Sequence, residues 1–95
     1  MIHSFADART ADLWAGKASA RLHQVPPDVQ SRVFKKLIAI DAAEKVKDLR
    51  QPPSNRLEKL KGDRVEQYSL RVNDQWRICF RWAGGAHDVE LTDYH

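Results

Sequence analysis

The chain has 95 residues, a formal net charge of +3 and a sequence pI of about 9.2. A chain of this length can bury only one hydrophobic core, so we predict a single domain over residues 1–95. Hydrophobic residues make up 42% of the sequence and charged residues 31%, which is typical of a globular protein and excludes a disordered one. The excess of 16 Lys and Arg over 13 Asp and Glu permits a polyanionic partner.

The sequence also indicates a compartment. Cys79 is the only cysteine, so no disulfide can form within the chain and a reducing environment fits best. The N-terminus lacks the basic and apolar regions of a signal peptide, and the apolar stretches are too short to span a membrane. We therefore predict a cytoplasmic protein without a membrane partner.

The N-terminal half predicts a short strand and two helices. Residues 2–5 can form the strand, and Asp7 and Gly16 suit the two ends of a first helix. Pro26 and Pro27 stand where a second, longer helix would begin. Its apolar residues recur at steps of three and four, at Val29, Val33, Leu37 and Ile40, with Phe34 and Ile38 widening the stripe.

A connector follows the second helix. The Pro52–Pro53 pair excludes helix and predicts a long ordered loop, and such loops in small domains are often functional. Its end carries a run of charges, at Glu58, Lys59, Lys61, Asp63 and Arg64. A charge run is usually a solvated loop, but this one leads directly into a sheet with a polar face.

The C-terminal third alternates with a period of two, which predicts three strands in residues 65–72, 76–82 and 86–94. The fold class is therefore α+β: a small antiparallel sheet, made of a C-terminal three-stranded meander plus the N-terminal strand, packed on two N-terminal helices. The inward-facing residues are predicted to be Tyr68, Leu70, Val72, Trp76, Ile78, Phe80, Trp82, Val89 and Leu91.

The strand registers predict a cationic row on the polar face. A three-residue turn over 73–75 sets Arg71 opposite Arg77. A two-residue turn at Gly84–Gly85 pairs Trp82 with His87 and Arg77 with Thr92, and leaves Tyr94 diagonal to the row. Opposed arginines repel, which makes sense if a phosphate binds between them. Alternatively, the two side chains splay into water or pair with Glu90 and Glu66.

These residue types match the chemistry of RNA cleavage by the internal 2′-hydroxyl, which needs a base, cations for the phosphate and an acid, and needs no metal. Glu58 or His95 can be the base, and His95 or Tyr94 can supply a proton. Arg71, Arg77 and Lys61 can hold the phosphate. The four histidines lack ligand spacing, so we predict no metal and no cofactor.

The stretches "SNRLEKLKGDR", "SLRVNDQWRICFRW" and "DVELTDYH" resemble the HigB toxins of the RelE/ParE superfamily. The resemblance implies a ribosome-dependent endoribonuclease that cleaves translated mRNA in the ribosomal A site without a cofactor. It also implies a HigA-type helix-turn-helix antitoxin as a partner. Operator DNA would be contacted only through the toxin–antitoxin complex.

The resemblance also implies roles for single residues. Arg77 would bind phosphate, Lys61 is the lysine of the Leu-Lys-Gly motif, and Asp93, Tyr94 and His95 would serve catalysis and substrate contact. We add Lys59, Arg64 and Arg71 as substrate-binding candidates. Some relatives have a catalytic histidine at the position of Glu58, so the base stays open between Glu58 and His95.

Two other functions share this sequence pattern. A ParE-like inhibitor of DNA gyrase would have the same fold without needing the acid–base residues, so the terminal Asp-Tyr-His counts against it. A non-catalytic module that binds RNA or the ribosome would depend on the Lys and Arg residues and would be indifferent to the loss of His95.

Overall fold

The computed structural model describes residues 1–64 and 66–93. Within them, two α-helices precede a four-stranded antiparallel sheet whose strands are hydrogen-bonded in chain order, which confirms the predicted α+β class. The helices are α1 (Ala8–Ala15) and α2 (Pro27–Ala42), and the strands are β1 (Glu58–Lys59), β2 (Gln67–Arg71), β3 (Trp76–Trp82) and β4 (Ala86–Asp93). Short 3-10 helices lie at Ala20–Leu22, Val46–Arg50, Pro53–Asn55 and Gly62–Arg64.

Helix α1 has the ends that its sequence predicts. The Asp7 carboxylate accepts a hydrogen bond from the Thr10 backbone N–H at 3.1 Å, which satisfies one of the unpaired donors of the first turn. Gly16 ends the helix at φ 72°, a left-handed conformation that glycine adopts without a steric penalty.

Helix α2 buries only part of its predicted apolar stripe. Val29, Val33, Leu37 and Ile40 are at most 3% exposed. Phe34 and Ile38 instead remain 39% and 47% exposed, so the expectation that they widen the buried stripe was wrong. Their side of the helix lies beyond the contact with the sheet, and no other element of the described chain covers it fully.

The N-terminal segment and the connector exchange the roles that the sequence predicted for them. Ile2 and Phe5 make isolated parallel bridges to Ala86 and Val89, and between them the Asp88 N–H donates to the Ser4 hydroxyl at 2.9 Å, which interrupts the ladder. The fourth strand comes from the connector, as β1, and pairs with β2 at the other edge of the sheet. The predicted ordered loop therefore consists largely of short elements.

The register of β2 and β3 is as predicted, with Arg71 opposite Arg77. The hairpin between β3 and β4 differs near its turn, because Trp82 pairs with Ala86 and not with His87. A bulge at Asp88, where φ is 52°, then restores the predicted pairing of Arg77 with Thr92.

Gly85 explains why this turn has its length. A Cβ atom at residue 85 would lie 2.6 Å from both the His3 ring and the Met1 carbonyl oxygen, so only glycine fits there.

The core lies between the inner face of the sheet and the two helices. Leu70, Ile78, Phe80 and Val89 are fully buried in it, while Tyr68 and Trp82 are half-buried at its margin. The other, outer face of the sheet carries the polar residues. No helix in the described residues is both long and apolar enough to cross a membrane.

Candidate active site on the outer face of the sheet

Arg77 lies at the centre of the outer face, on β3. Its Nε atom donates to the Ser69 hydroxyl, and its Nη2 atom donates to the Arg56 carbonyl oxygen at 3.1 Å. The side chain is 16% exposed. Hydrogen bonds on two of its nitrogen atoms fix the plane of the guanidinium, so Arg77 is held for binding an anion before the anion arrives.

Glu58 reaches Arg77 through strand β1. Glu58 pairs with Ser69 on β2, which places its side chain on the same face as Ser69 and Arg77. One carboxylate oxygen of Glu58 lies 3.8 Å from Arg77 Nη2, and the side chain is 57% exposed. A base candidate and a phosphate-binding candidate from distant parts of the sequence are thus neighbours.

The connector is held in place by Asn55. The Asn55 side-chain nitrogen donates to the carbonyl oxygens of Leu49 and Gln51 at 3.1 Å each, and its oxygen accepts from Lys36 of α2. Burial, aided by the nearby charge of Arg32, lowers the pKa of Lys36 below its usual range. These contacts fix the chain just before Arg56 and Glu58.

The repulsion between Arg71 and Arg77 is relieved by a carboxylate for each arginine. Arg71 pairs with Asp74 in the turn between β2 and β3, and Arg77 lies beside Glu58. The expected partners, Glu90 and Glu66, are not the ones found. Asp74 is fully exposed, so its pair with Arg71 is weak and can open when another anion binds.

Arg64 lies farther across the outer face. It forms an ion pair with Glu90 of β4 at 3.0 Å and donates to the Gln67 side chain at 2.9 Å. This pair ties the loop before β2 to the last strand. The described contacts give Arg64 a bracing role in addition to the substrate contact that the sequence predicted.

The other predicted substrate residues are dispersed. Lys61 is exposed on the loop after β1. Lys59 pairs with Tyr68, which turns it to the opposite face from Glu58, where it lines a cavity of about 340 Å³ with Tyr68, Arg81 and Trp82.

The end of the last strand is described as far as Asp93. Asp93 faces away from Thr92 and accepts a hydrogen bond from Gln75 at 3.2 Å. Tyr94 and His95, which the sequence nominated for proton transfer, lie outside the described residues.

Sequence reasoning missed two contributors to the site. Ser69 is buried and accepts from Arg77, and its position on the outer face follows from the same alternation that places Arg71 there. The Arg56 carbonyl had no sequence signal. Arg56 has φ 44°, a conformation that costs a non-glycine residue about 1–2 kcal/mol, and such positions are often found at functional sites.

The described residues favour chemistry that relies on arginine and carboxylate groups. No group of three or more His, Cys, Asp or Glu in residues 1–64 and 66–93 is placed to hold a metal ion. Cys79 is buried beside this site and accepts a weak hydrogen bond from the Thr92 hydroxyl at 3.5 Å, which makes it a packing residue. A fixed guanidinium beside an exposed carboxylate can bind a phosphodiester and accept a proton from it.

Comparison with known proteins gives the same direction. Toxin HigB-1 of Vibrio cholerae is 43% identical over 70 residues, which cover 74% of this chain and 70% of that protein. Endoribonuclease HigB of Proteus vulgaris is 36% identical over 72 residues, covering 75% and 77% of the two chains. The family described as the RelE-like toxin of type II toxin-antitoxin system HigB matches residues 3–95. The chain therefore belongs to the HigB family of RelE-like toxins of type II toxin–antitoxin systems.

Proposed function

We propose that this HigB-family toxin is an endoribonuclease that cleaves translated mRNA in the ribosomal A site and so inhibits translation. The observation that carries the proposal is the fixed Arg77 guanidinium with the Glu58 carboxylate 3.8 Å away on the exposed face of the sheet. The similarity to a protein named Endoribonuclease HigB supports it.

The first step would be phosphate binding by Arg77. At 3.8 Å its contact with Glu58 is an ion pair and not a hydrogen bond, and Glu58 is more than half exposed. Separating the two therefore costs little, and a phosphate oxygen can accept from the guanidinium while the Ser69 and Arg56 contacts remain. Arg71 can release the exposed Asp74 in the same way and add a second cation.

The proton transfers would follow without a metal or cofactor. Glu58, next to the bound phosphate, would take the proton of the 2′-hydroxyl, whose oxygen then attacks phosphorus and forms the 2′,3′-cyclic phosphate. The leaving 5′-oxygen takes up a proton, for which His95 or Tyr94 is our candidate. His95 is the other candidate for the base. Lys59, Lys61, Arg64 and Asp93 remain candidates for contacts with mRNA.

The partners in this proposal are the ribosome with its mRNA and a HigA-type helix-turn-helix antitoxin. Operator DNA would be contacted through the toxin–antitoxin complex, and the site of action would be the cytoplasm.

The test is mapping of 5′ ends on a reporter mRNA with purified toxin, with and without ribosomes translating it. We expect cuts in register with the codons only when ribosomes are present. Arg77→Ala should abolish them, because no other group replaces the fixed cation, and we expect the same of His95→Ala. Arg32→Ala, which removes an exposed arginine from the helix side, is the matched control.

Comparison of Glu58→Gln with His95→Ala identifies the base, because only the loss of the base removes the acid limb of the pH–rate profile. Absence of cuts with the unaltered toxin, while it still arrests growth in cells, would contradict the proposal and direct the search to DNA gyrase or another protein target.

A further inference from the structure

A groove of about 860 Å³ lies on the helix side of the molecule, between the end of α1, the 3-10 helix Ala20–Leu22 and α2. We propose that this groove, which we call the helix groove, is the docking site for an acidic amphipathic helix of the antitoxin. The inference rests on membership of a toxin–antitoxin family and does not require the ribonuclease activity.

The walls of the helix groove are fixed before any partner binds. The Gln30 side chain on α2 donates to the carbonyl oxygens of Leu22 and Val25 at 3.1 and 2.8 Å, which joins α2 to the segment before it. On the other wall, Asp12 accepts from Arg21 at 3.1 Å and holds the end of α1 against the 3-10 helix. A preformed groove spares the partner part of the ordering cost of binding.

The groove and the adjoining part of α2 leave apolar surface exposed. Its floor is formed by Leu13, Leu22 and Val25, and Phe34 lines its side, with the Phe34 ring 5.6 Å from that of Trp14. Ile38, one helical turn after Phe34, continues this strip and is 47% exposed. Together with Met1, Phe34 and Ile38 are the exposed large hydrophobic residues of the described chain, and clustering of this kind marks an interaction surface.

The charges around the groove select an acidic partner. Lys17 and Lys35 line it, and none of its lining residues within the described chain is an aspartate or glutamate. The wall from Pro27 to Lys35 is about 12 Å long at 1.5 Å per residue, enough for two turns of a helix. An amphipathic helix with apolar residues facing Phe34 and carboxylates facing the lysines fits both features.

The position of the groove has a consequence for inhibition. The helices cover the inner face of the sheet, whereas Arg77 and Glu58 lie on the outer face. An antitoxin helix in the groove would leave the candidate active site uncovered. Neutralisation would then come from the bulk of the bound antitoxin, which prevents the toxin from entering a confined site.

The experiment measures the affinity of purified toxin, separated from its antitoxin, for the full-length antitoxin of the same operon by calorimetry. Phe34→Ser with Ile38→Ser should weaken binding at least tenfold because the apolar contact is lost. Lys17→Glu with Lys35→Glu should weaken it at least tenfold and reverse its salt dependence. Lys47→Glu with Arg50→Glu, an equal charge change on exposed residues outside the groove, is the control and should leave the affinity unchanged.

In cells, the Phe34→Ser/Ile38→Ser toxin should still arrest growth but should no longer be rescued by the antitoxin. Affinity within threefold of the unaltered toxin for both groove variants would overturn the proposal. Loss of toxin self-association in those variants, with antitoxin affinity unchanged, would overturn it too and assign the groove to a second copy. A toxin without ribonuclease activity would not alter the affinities, so failure of the proposed function is a separate result.

Discussion

At Arg77, three separate parts of the chain meet in one side chain: β2 through Ser69, the connector through Arg56 and β1 through Glu58. Periodicity alone assigned Arg77 to the outer face and predicted its neighbour Arg71 correctly. The contacts that fix its guanidinium come from residues 8 and 21 positions away in sequence, which alternation within one strand cannot reveal. The long range of these contacts is why the base candidate could be named from the sequence but not placed.

A second residue-scale feature is the carboxylate of Asp12, at the corner of the helix groove. A hydrogen bond from Ser19 lowers the pKa of Asp12, partial burial opposes this, and Arg21 adds to the lowering. A carboxylate with a lowered pKa stabilises the fold above its unfolded pKa of about 3.9, and this contribution is lost as the pH falls through the lower folded value.

Asp12→Asn should therefore lower the free energy of unfolding at pH 7, and the difference from the unaltered protein should shrink as the pH falls below about 4. Urea unfolding at a series of pH values measures this. Asp63→Asn, an exposed carboxylate on the loop after β1, serves as the control and should show a much smaller difference at pH 7. A difference for Asp12→Asn that does not change with pH would show that the carboxylate's charge is not the cause.

At the scale of elements, α1 is fastened to β4 by a buried polar contact. The Leu91 backbone N–H donates to the Thr10 hydroxyl at 2.9 Å, and the Leu91 carbonyl accepts from Arg9 at the same distance. Thr10 is fully buried. A helix thus completes the hydrogen bonding of the outermost strand, whose free edge would otherwise leave these groups unpaired.

Thr10→Val keeps the shape of the side chain and removes the acceptor, so the buried Leu91 N–H loses its partner. We expect a loss of about 1–3 kcal/mol in the free energy of unfolding. Thr10→Ser retains the hydroxyl and should lose less. Equal stability of Thr10→Val and the unaltered protein, in denaturant titrations followed by circular dichroism, would show that water satisfies the amide instead.

The strand β1 is the element that sequence patterns could not identify. It has only two residues, both exposed, so neither alternation nor hydrophobicity distinguishes it from a loop. Its position depends on Asn55 and on pairing with β2, both of which are tertiary contacts. Because Glu58 belongs to β1, the geometry of the candidate site depends on the least predictable part of the fold.

On the scale of the whole molecule, the sheet separates two surfaces. The outer face presents Arg77 and Glu58, and the helix side presents the helix groove. One core between them must keep both in shape. Phe80 is fully buried in that core, in contact with the rings of Tyr68 and Trp82 at 6.1 and 6.4 Å between centroids.

Phe80→Ala should destabilise the protein by about 3–5 kcal/mol, because a buried aromatic leaves a cavity, and Trp76→Ala, with Trp76 3% exposed, should have a similar effect. This is a large part of the about 5–15 kcal/mol that holds a small domain folded. Phe34→Ala on the exposed strip is the matched control and should cost far less. An unchanged melting midpoint for Phe80→Ala would contradict the single core drawn here.

The sequence by itself determined the α+β class, both ends of α1, the buried stripe of α2 and the pairing of Arg71 with Arg77, because these follow from periodicities of 3.6 and 2 and from local capping. Only the tertiary structure decided which edge gains the fourth strand, which carboxylate accompanies each arginine and which apolar residues stay exposed. Those outcomes depend on which surfaces meet across the core, and Phe34 and Ile38 illustrate this: their spacing suits burial, but no described element fully covers them.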